Sequence, residues 1–239
     1  MYITESFELH NDLNNKLFEN EKLRNDVRQA LLNISYEFIS TLEIKPRVLD
    51  IQLVGSNASF NYTQDSDIDL HIISLFDNDN CSDILKAYYA AEKSNFNKNY
   101  DIKVKGIDVE VYIEDSKSAS KSNGVYSVLK DEWVKYPEVI NVDTNLTIQA
   151  TSIADNYIEY INQALNSDDI DKINQAIDDL YLTRHNSLAS EGEFGLGNLI
   201  FKEIRNRGLL DELKNKYKEL RSSELTLESL DSQLKQYYI

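Results

Sequence analysis

The chain has few of the residues that cross-link or interrupt a fold. Its 239 residues include one cysteine, two prolines and seven glycines. The lone Cys81 excludes an internal disulfide framework and stands in no metal-binding or redox motif. No apolar run approaches the roughly 18 residues that span a bilayer, and the N-terminus lacks the basic and apolar layout of a signal peptide. We therefore expect a cytoplasmic protein without a membrane segment.

Positive charge is also scarce. The chain has 25 Lys and Arg against 41 Asp and Glu, a net charge of −16. Proteins that coat long nucleic acids obtain most of their affinity from Lys and Arg on phosphates. This balance argues against a template-directed polymerase, although a local basic pocket for one triphosphate or an RNA end remains compatible. The apolar fraction of 41% is ordinary for a globular protein with one large or two small domains.

A Gly-Ser pair follows the first predicted strand. The segment 48–54 alternates well enough to be a strand and leads directly into Gly55 and Ser56. Glycine has no Cβ, so a phosphate can approach the backbone closely there. Ser56 has two interpretations: it contacts a phosphate, or its hydroxyl caps a short helix or loop over 57–64. We favour the phosphate contact because paired carboxylates lie downstream.

Two carboxylates open the second predicted strand, over 67–75. Ten residues separate Ser56 from Asp67, and Asp69 follows two positions later. Residues i and i+2 of a strand share a face, so both carboxylates stand side by side while Ile68 and Leu70 face the core. Like charges this close are costly without a cation between them, and Mg²⁺ prefers one or two protein carboxylates plus phosphates. The pattern predicts phosphoryl or nucleotidyl transfer.

Together these residues resemble the signature of a known family, the polymerase-beta-like nucleotidyltransferase superfamily. The matching features are the Gly-Ser pair, the ten-residue gap and Asp-x-Asp between apolar neighbours, within roughly 48–113. The family has a third carboxylate, flanked by apolar residues, on a later strand, and Glu110 between two valines fits it. The chain is also similar to stand-alone nucleotidyltransferase-like proteins of bacteriophages.

The third carboxylate has two candidates. Strand patterns over 101–105 and 107–113 flank Gly106 and predict a hairpin or a bulged turn. In the second arm Asp108 and Glu110 share a face, so strand parity leaves both open. We prefer Glu110 because it lies in the middle of the strand rather than next to the turn.

The resemblance implies a nucleotidyltransferase dependent on Mg²⁺ (or Mn²⁺). Such an enzyme moves an NMP from an NTP, with ATP the expected donor, to a hydroxyl acceptor and releases pyrophosphate. The family motif assigns metal binding and catalysis to Asp67, Asp69 and Glu110 and nucleotide binding to Gly55, Ser56 and Ser66. The acceptor is expected to be a small molecule, a protein or a nucleotide rather than a long nucleic acid. Two alternatives remain: a catalytically silent member that binds nucleotide or a partner, and an acidic interaction protein with a coincidental Asp-x-Asp.

Helical periodicity dominates the rest of the chain. The fold class expected is α+β (mixed α/β): a small twisted mixed sheet with helices forming a nucleotidyltransferase core over 1–140, followed by a helical bundle over 141–239. In the first domain we expect a polar, irregular start up to residue 20 and helices over 21–42 and 83–97. The apolar stripe of the first helix is interpreted as core. The helices expected in the bundle span 148–165, 170–188 and 199–207, with two more through Leu220 and Leu234.

A local basic cluster lies within the predicted bundle. Arg184 and Lys202 are candidate contacts to phosphate or acceptor, because Arg and Lys neutralise triphosphates. The alternative is that these residues and the neighbouring Arg205 and Arg207 are surface charges that pair with Glu191, Glu193 and Glu203.

Three other features have plain interpretations. Asp65 is taken as a solvated turn residue, and the Ser- and Lys-rich segment 114–124 as a solvated loop. His71 shares the face of the two aspartates, and a hydrogen-bonded supporting role is preferred over a metal ligand or base.

Overall fold

The structure, a computed structural model, describes residues 10–64, 66–76, 82–117, 122–139, 144–192 and 194–226. The chain divides into two compact units, one within Phe7–Ile140 and the other within Asn141–Ile239. The first unit contains the large sheet, and the described part of the second is helical.

The described part of the first unit combines two α-helices with eight strands. The helices are α1 (Asn25–Thr41) and α2 (Ser82–Asn99). The strands are β1 (Phe18–Glu19), β2 (Lys22–Leu23), β3 (Val48–Val54), β4 (Ile68–Ser74), β5 (Lys103–Val104), β6 (Ile107–Asp115), β7 (Val125–Ser127) and β8 (Glu132–Lys135).

Six of these strands form one mixed sheet in the order β5-β6-β4-β3-β7-β8. Strands β4 and β6 are parallel, joined by a crossover that contains α2, and the other neighbours are antiparallel. A parallel pair needs such a crossover, whereas antiparallel strands can follow through short turns. The α+β class and the mixed sheet are therefore confirmed.

The start of the chain differs from its prediction. The first helix was expected from Glu21, but α1 begins at Asn25. Before it, β1 and β2, strands of two residues each, pair as a short antiparallel hairpin. Asn20 and Glu21 have φ of 51° and 62°, the left-handed backbone of a tight hairpin turn. This turn excludes the first part of the expected helix, and Phe18 and Leu23 are buried on either side of it.

The core of the first unit lies between α1, α2 and the apolar face of the sheet. Ile68, Leu70 and Ile72 of β4 are fully buried, so the predicted alternation of that strand is confirmed. The apolar stripe of α1 is core as expected, since Val27, Leu31 and Phe38 are buried. Further buried members of this cluster are Leu17, Ile51, Leu53, Phe76, Tyr89, Phe96, Val111 and Tyr126.

The described part of the second unit consists of four helices. They are α3 (Thr144–Asn166), α4 (Ile170–Ser190), α5 (Leu196–Asn206) and α6 (Leu209–Glu224). The Asp169 carboxylate caps α4 by accepting from the N–H groups of Asp171 and Lys172 at 3.1 and 3.2 Å. Gly208, with φ of 76°, separates α5 from α6. The last helix expected, through Leu234, lies outside the described residues.

Within the described ranges, none of the helices is both long enough and apolar enough to cross a membrane.

Candidate functional site

The turn after β3 has a glycine-specific backbone. Gly55 has φ of 74° and ψ of −161°, a conformation that side chains with a Cβ rarely adopt. A short 3-10 helix follows over Ser56–Ala58, and the residue at its N-cap is Gly55. The alternative that Ser56 caps a helix is therefore wrong. Its hydroxyl instead donates to Oγ of Ser66 at 2.9 Å, joining two predicted nucleotide-binding residues.

A buried asparagine, which the sequence interpretation missed, joins this turn to the start of β4. The Asn57 amide donates to the carbonyl oxygens of Ser66 and Asp67, at 2.9 and 2.8 Å. Its own oxygen accepts from Asn14 at 2.8 Å. Asn57 therefore ties the Gly-Ser turn to the backbone of the first motif aspartate. Its position directly after Gly-Ser was the only sequence signal.

Two of the three predicted catalytic carboxylates are cross-strand neighbours. Asp69 of β4 lies opposite Glu110 of β6 in the parallel ladder, and both side chains are half-buried. Asp67, also half-buried, precedes β4 by one residue and shares the strand parity of Asp69. We call Asp69 and Glu110 the carboxylate pair.

Asp69, one member of the pair, lies directly against the Gly-Ser turn. A Cβ placed on Gly55 would be 2.2 Å from Oδ2 of Asp69 and 3.2 Å from its Cγ. Atoms cannot approach this closely without displacement, so the Asp69 carboxylate occupies the space that the missing side chain of Gly55 leaves. The turn and the acid, separated in sequence, are therefore in contact.

The register favours Glu110 over Asp108 as the third carboxylate. Pairing between β4 and β6 begins at Ile68 and Val109, after Asp108. Asp108 is exposed and accepts a hydrogen bond from the Lys103 ammonium of β5. Its charge is thus compensated at the sheet edge, whereas Glu110 lies beside Asp69.

Other polar side chains continue this face of the sheet. The Tyr112 hydroxyl donates to Oε2 of Glu110, and the Lys93 ammonium of α2 lies 3.5 Å from the centroid of the Tyr112 ring. Burial lowers the pKa of Lys93, while the charges of Glu110 and Asp69 act in the opposite direction. The sequence interpretation missed both Lys93 and Tyr112.

His71 is hydrogen-bonded, as expected, and its supporting role at the site stays a prediction. Its Nδ1 lies 2.9 Å from Oε2 of Glu114, and its ring centroid is 4.8 Å from that of Tyr112. A histidine held by a carboxylate in this way has a fixed ring orientation.

The donor set suits a magnesium ion. Among the described residues no three His, Cys, Asp or Glu side chains come together as a metal-binding group. Mg²⁺ is usually held by one or two protein carboxylates and completes its octahedron with waters and substrate phosphates. The carboxylate pair next to the open backbone of Gly55 meets that requirement, with Asp67 on the same strand face. These residues therefore fit the ion in chemistry and number.

The loop segment 114–124 contributes to the turn. The first two residues of this segment belong to β6, which extends to Asp115. Residues 118–121 lie outside the described residues, and so does Asp65, the predicted turn residue. Ser122 accepts a hydrogen bond from the Gly55 N–H through its Oγ at 3.0 Å. A hydroxyl oxygen thus occupies the position where this backbone donor would meet a phosphate oxygen.

The two basic candidates belong to the helical unit. Arg184 of α4 stacks on the ring of Phe201, 4.6 Å from its centroid, and Lys202 lies half-buried on α5. Nearby Arg207 pairs with Glu203 and Asp155 at 2.8 and 3.2 Å. Pairing with Glu203, one of the surface partners expected, is confirmed for Arg207.

Comparison with protein-family models, with curated proteins and with solved structures finds no match for this chain. Functional inference therefore rests on the chemistry of the site itself. Its main elements are the carboxylate pair, the Gly-Ser turn that contacts Asp69, the tyrosine that donates to Glu110 and the lysine on that tyrosine.

Proposed function

We propose that the chain is a metal-dependent nucleotidyltransferase that moves an NMP from an NTP to a hydroxyl acceptor. The observation that supports this most is that Asp69, one member of the carboxylate pair, is in contact with the Gly-Ser turn. Glu110 lies opposite Asp69, and the Asp69 carboxylate lies against Gly55. Acids that suit Mg²⁺ thus lie beside a turn whose Gly55 N–H becomes available to a phosphate oxygen when Ser122 is displaced.

The turn residues would bind the nucleotide. Gly55 presents backbone without a Cβ, and the hydroxyls of Ser56 and Ser66 lie 2.9 Å apart beside it. Ser122 is displaced from the Gly55 N–H when a phosphate oxygen accepts from it. We assign the β and γ phosphates to this position and expect ATP as the donor.

The carboxylate pair, Asp69 and Glu110, would hold Mg²⁺ or Mn²⁺, and Asp67 on the same strand face as Asp69 stays a predicted further ligand. Bound there, the ion supplies neutralisation of phosphate charge and activation of the acceptor hydroxyl. Glu110 accepts the proton of that hydroxyl as its oxygen bonds to the α-phosphorus. The bond from the α-phosphorus to the bridging oxygen breaks, and pyrophosphate leaves. Catalysis consists of positioning and charge neutralisation, without a covalent enzyme intermediate.

The charge of the chain limits the acceptor. A net charge of −16 opposes binding along a long polyanion. A small molecule, a protein or a nucleotide is therefore the proposed acceptor class. Contacts of Arg184 and Lys202 with an acceptor or a phosphate stay a prediction from the sequence.

Nucleotide binding is the first test. Thermal unfolding is measured with Mg²⁺ or Mn²⁺ and each of the four NTPs, for the wild type and for Asp67→Asn/Asp69→Asn. A ligand that binds only the folded state raises the free energy of unfolding, by about 2.7 kcal/mol at a hundredfold excess over Kd, and the midpoint temperature rises with it. We expect a metal-dependent rise with ATP that the double variant loses.

Transfer is the second test, with α-phosphate-labelled ATP and pools of small-molecule, protein and nucleotide acceptors. We expect label in one acceptor class with the wild type and none with the double variant. Equal transfer by the double variant would contradict the proposal. Metal-dependent ATP binding without transfer to any pool would instead favour a catalytically silent nucleotide-binding protein.

A further inference from the structure

The carboxylate pair presents a charge problem before any ion binds. Asp69 and Glu110 are neighbours across a parallel ladder, and both are half-buried. Asp69 is also confined by the Gly55 backbone. Two adjacent negative charges with limited hydration repel each other, so the ion-free protein needs another positive charge nearby.

Helix α2 places a lysine against Tyr112, the residue whose hydroxyl donates to Glu110 of the pair. The side-chain amide of Asn97 makes two hydrogen bonds with the backbone of Val111 on β6. Its Oδ1 accepts from the Val111 N–H at 3.3 Å, and its Nδ2 donates to the Val111 carbonyl oxygen at 3.5 Å. This contact holds the helix beside the strand. Lys93 lies one turn before Asn97 on the same helix face, and its ammonium therefore reaches Tyr112, the next residue after Val111.

The lysine and the tyrosine act on the pair together. The ammonium of Lys93 is 3.5 Å from the centroid of the Tyr112 ring, a favourable cation–π position. The Tyr112 hydroxyl donates to Glu110. Burial lowers the pKa of Lys93, and the charges of Glu110 and Asp69 offset part of this effect.

We propose that Lys93 is the counter-ion of the carboxylate pair in the ion-free protein and competes with the divalent cation for it. Lys93 is thus a positioning residue, and the inference rests on the proposed function for the identity of the ion. The ammonium offsets the repulsion between the two carboxylates. It must lose part of this interaction when a divalent cation binds, which weakens metal binding in the absence of nucleotide.

The test measures Mn²⁺ affinity without nucleotide, using the paramagnetic resonance signal of free Mn²⁺. It compares the wild type with Lys93→Met, Lys93→Arg and Lys86→Met. Lys86 is the matched control because it is an exposed lysine of the same helix, 3.6 Å from Asp83. We expect Lys93→Met to bind Mn²⁺ about tenfold to a hundredfold more tightly, and Lys93→Arg and Lys86→Met to remain near the wild type. Unchanged, weaker or undetectable binding by Lys93→Met would overturn the proposal.

A second measurement requires no metal. In EDTA, Lys93→Met should lower the unfolding midpoint in the wild-type background and have a much smaller effect in an Asp69→Asn background, where one charge of the pair is absent. Equal effects in both backgrounds would overturn the proposal. If Lys93→Met alone does not fold, Lys93→Met/Asp69→Asn should, and failure of that variant would also overturn it.

The two proposals fail in distinguishable ways. A wild type that transfers no nucleotide, together with tighter Mn²⁺ binding by Lys93→Met, contradicts the transferase but supports the counter-ion. A wild type that transfers nucleotide, together with unchanged Mn²⁺ affinity in Lys93→Met, supports the transferase and overturns the counter-ion.

Discussion

The Asp69 carboxylate lies where a Gly55 side chain would be, since a Cβ there would be 2.2 Å from Oδ2. The sequence separates these residues by a polar excursion, and the antiparallel pairing of β3 with β4 brings them together. Val54, which precedes the glycine, is the ladder partner of Asp69. Two features therefore require glycine at this position: its backbone conformation and its contact with a candidate metal ligand.

Replacing this glycine should impair both activity and stability. In Gly55→Ala the Asp69 carboxylate, as the end of a side chain, must move away from the new methyl group. The backbone strain at φ of 74° and ψ of −161° should also cost about 1–3 kcal/mol. We expect transfer to fall at least tenfold, because small displacements of catalytic groups have large effects. Activity and urea unfolding are measured side by side.

Gly106→Ala is the matched control. Gly106 has φ of 80°, but nothing lies within 4 Å of the position of its Cβ. The Gly106→Ala variant should lose stability through backbone strain and keep its transfer activity. Equal loss of activity in both variants would show that the Asp69 contact does not matter.

The choice between the two candidate third carboxylates is directly testable. Glu110→Gln should lower kcat/KM about a hundredfold or more, in the range for loss of a proton-accepting group. Asp108→Asn should retain activity, because Asp108 is exposed and compensated by Lys103. Steady-state kinetics on both variants checks this, and the reverse ranking would identify Asp108 as the third ligand.

Asn57 should be a stability determinant as well as a support for the site. It is fully buried, and its amide makes three hydrogen bonds of 2.8–2.9 Å. We expect Asn57→Ala to lower the free energy of unfolding by about 2–4 kcal/mol, since buried partners lose their hydrogen bonds. Urea unfolding measures this loss.

Asn123→Ala is the comparison for Asn57. Asn123 is half-buried and donates to Ser59 and to the carbonyl oxygen of Glu138 at 2.9 and 2.8 Å. Water can replace its bonds, so we expect a loss of about 1 kcal/mol or less. A larger loss for Asn123→Ala than for Asn57→Ala would contradict the role assigned to Asn57.

Alkaline pH should destabilise the folded protein through Tyr126, a buried tyrosine of the core. Burial raises the pKa of Tyr126 to about 12, and the hydrogen bond from its hydroxyl to Asp131 acts in the same direction. The unfolded chain releases this proton near pH 10, whereas the folded protein retains it to higher pH. The protonated hydroxyl of Tyr126 therefore contributes its full stabilisation, about 2–3 kcal/mol, below pH 10. This stabilisation is lost as the pH rises from 10 to 12.

Urea unfolding between pH 9 and 11.5 checks this expectation. Tyr126→Phe lacks the titrating group, so the difference in stability between it and the wild type should shrink above pH 10. Tyr36→Phe, at a position 51% exposed, should follow the wild type throughout. A constant difference between Tyr126→Phe and the wild type would contradict the raised pKa.

Much of the local structure could be predicted from the sequence. The alternation over 48–54 predicted β3, and the parity of β4 placed Ile68 and Leu70 in the core with Asp69 on the opposite face. These features depend on the backbone periodicity of a single segment, which side-chain hydropathy reports directly. The hairpin of β1 and β2 was missed because two-residue strands have no measurable periodicity.

The tertiary structure decided which of these residues meet. The register of β4 on β6 placed Glu110 rather than Asp108 beside Asp69, and no local pattern encodes the register of strands some 40 residues apart. The position of α2 along β6 brought Lys93 to Tyr112. The sequence by itself determined the chemistry available to the site, because residue types and strand faces are local properties. Long-range pairing and packing decided the arrangement, because contacts between distant segments depend on the whole fold.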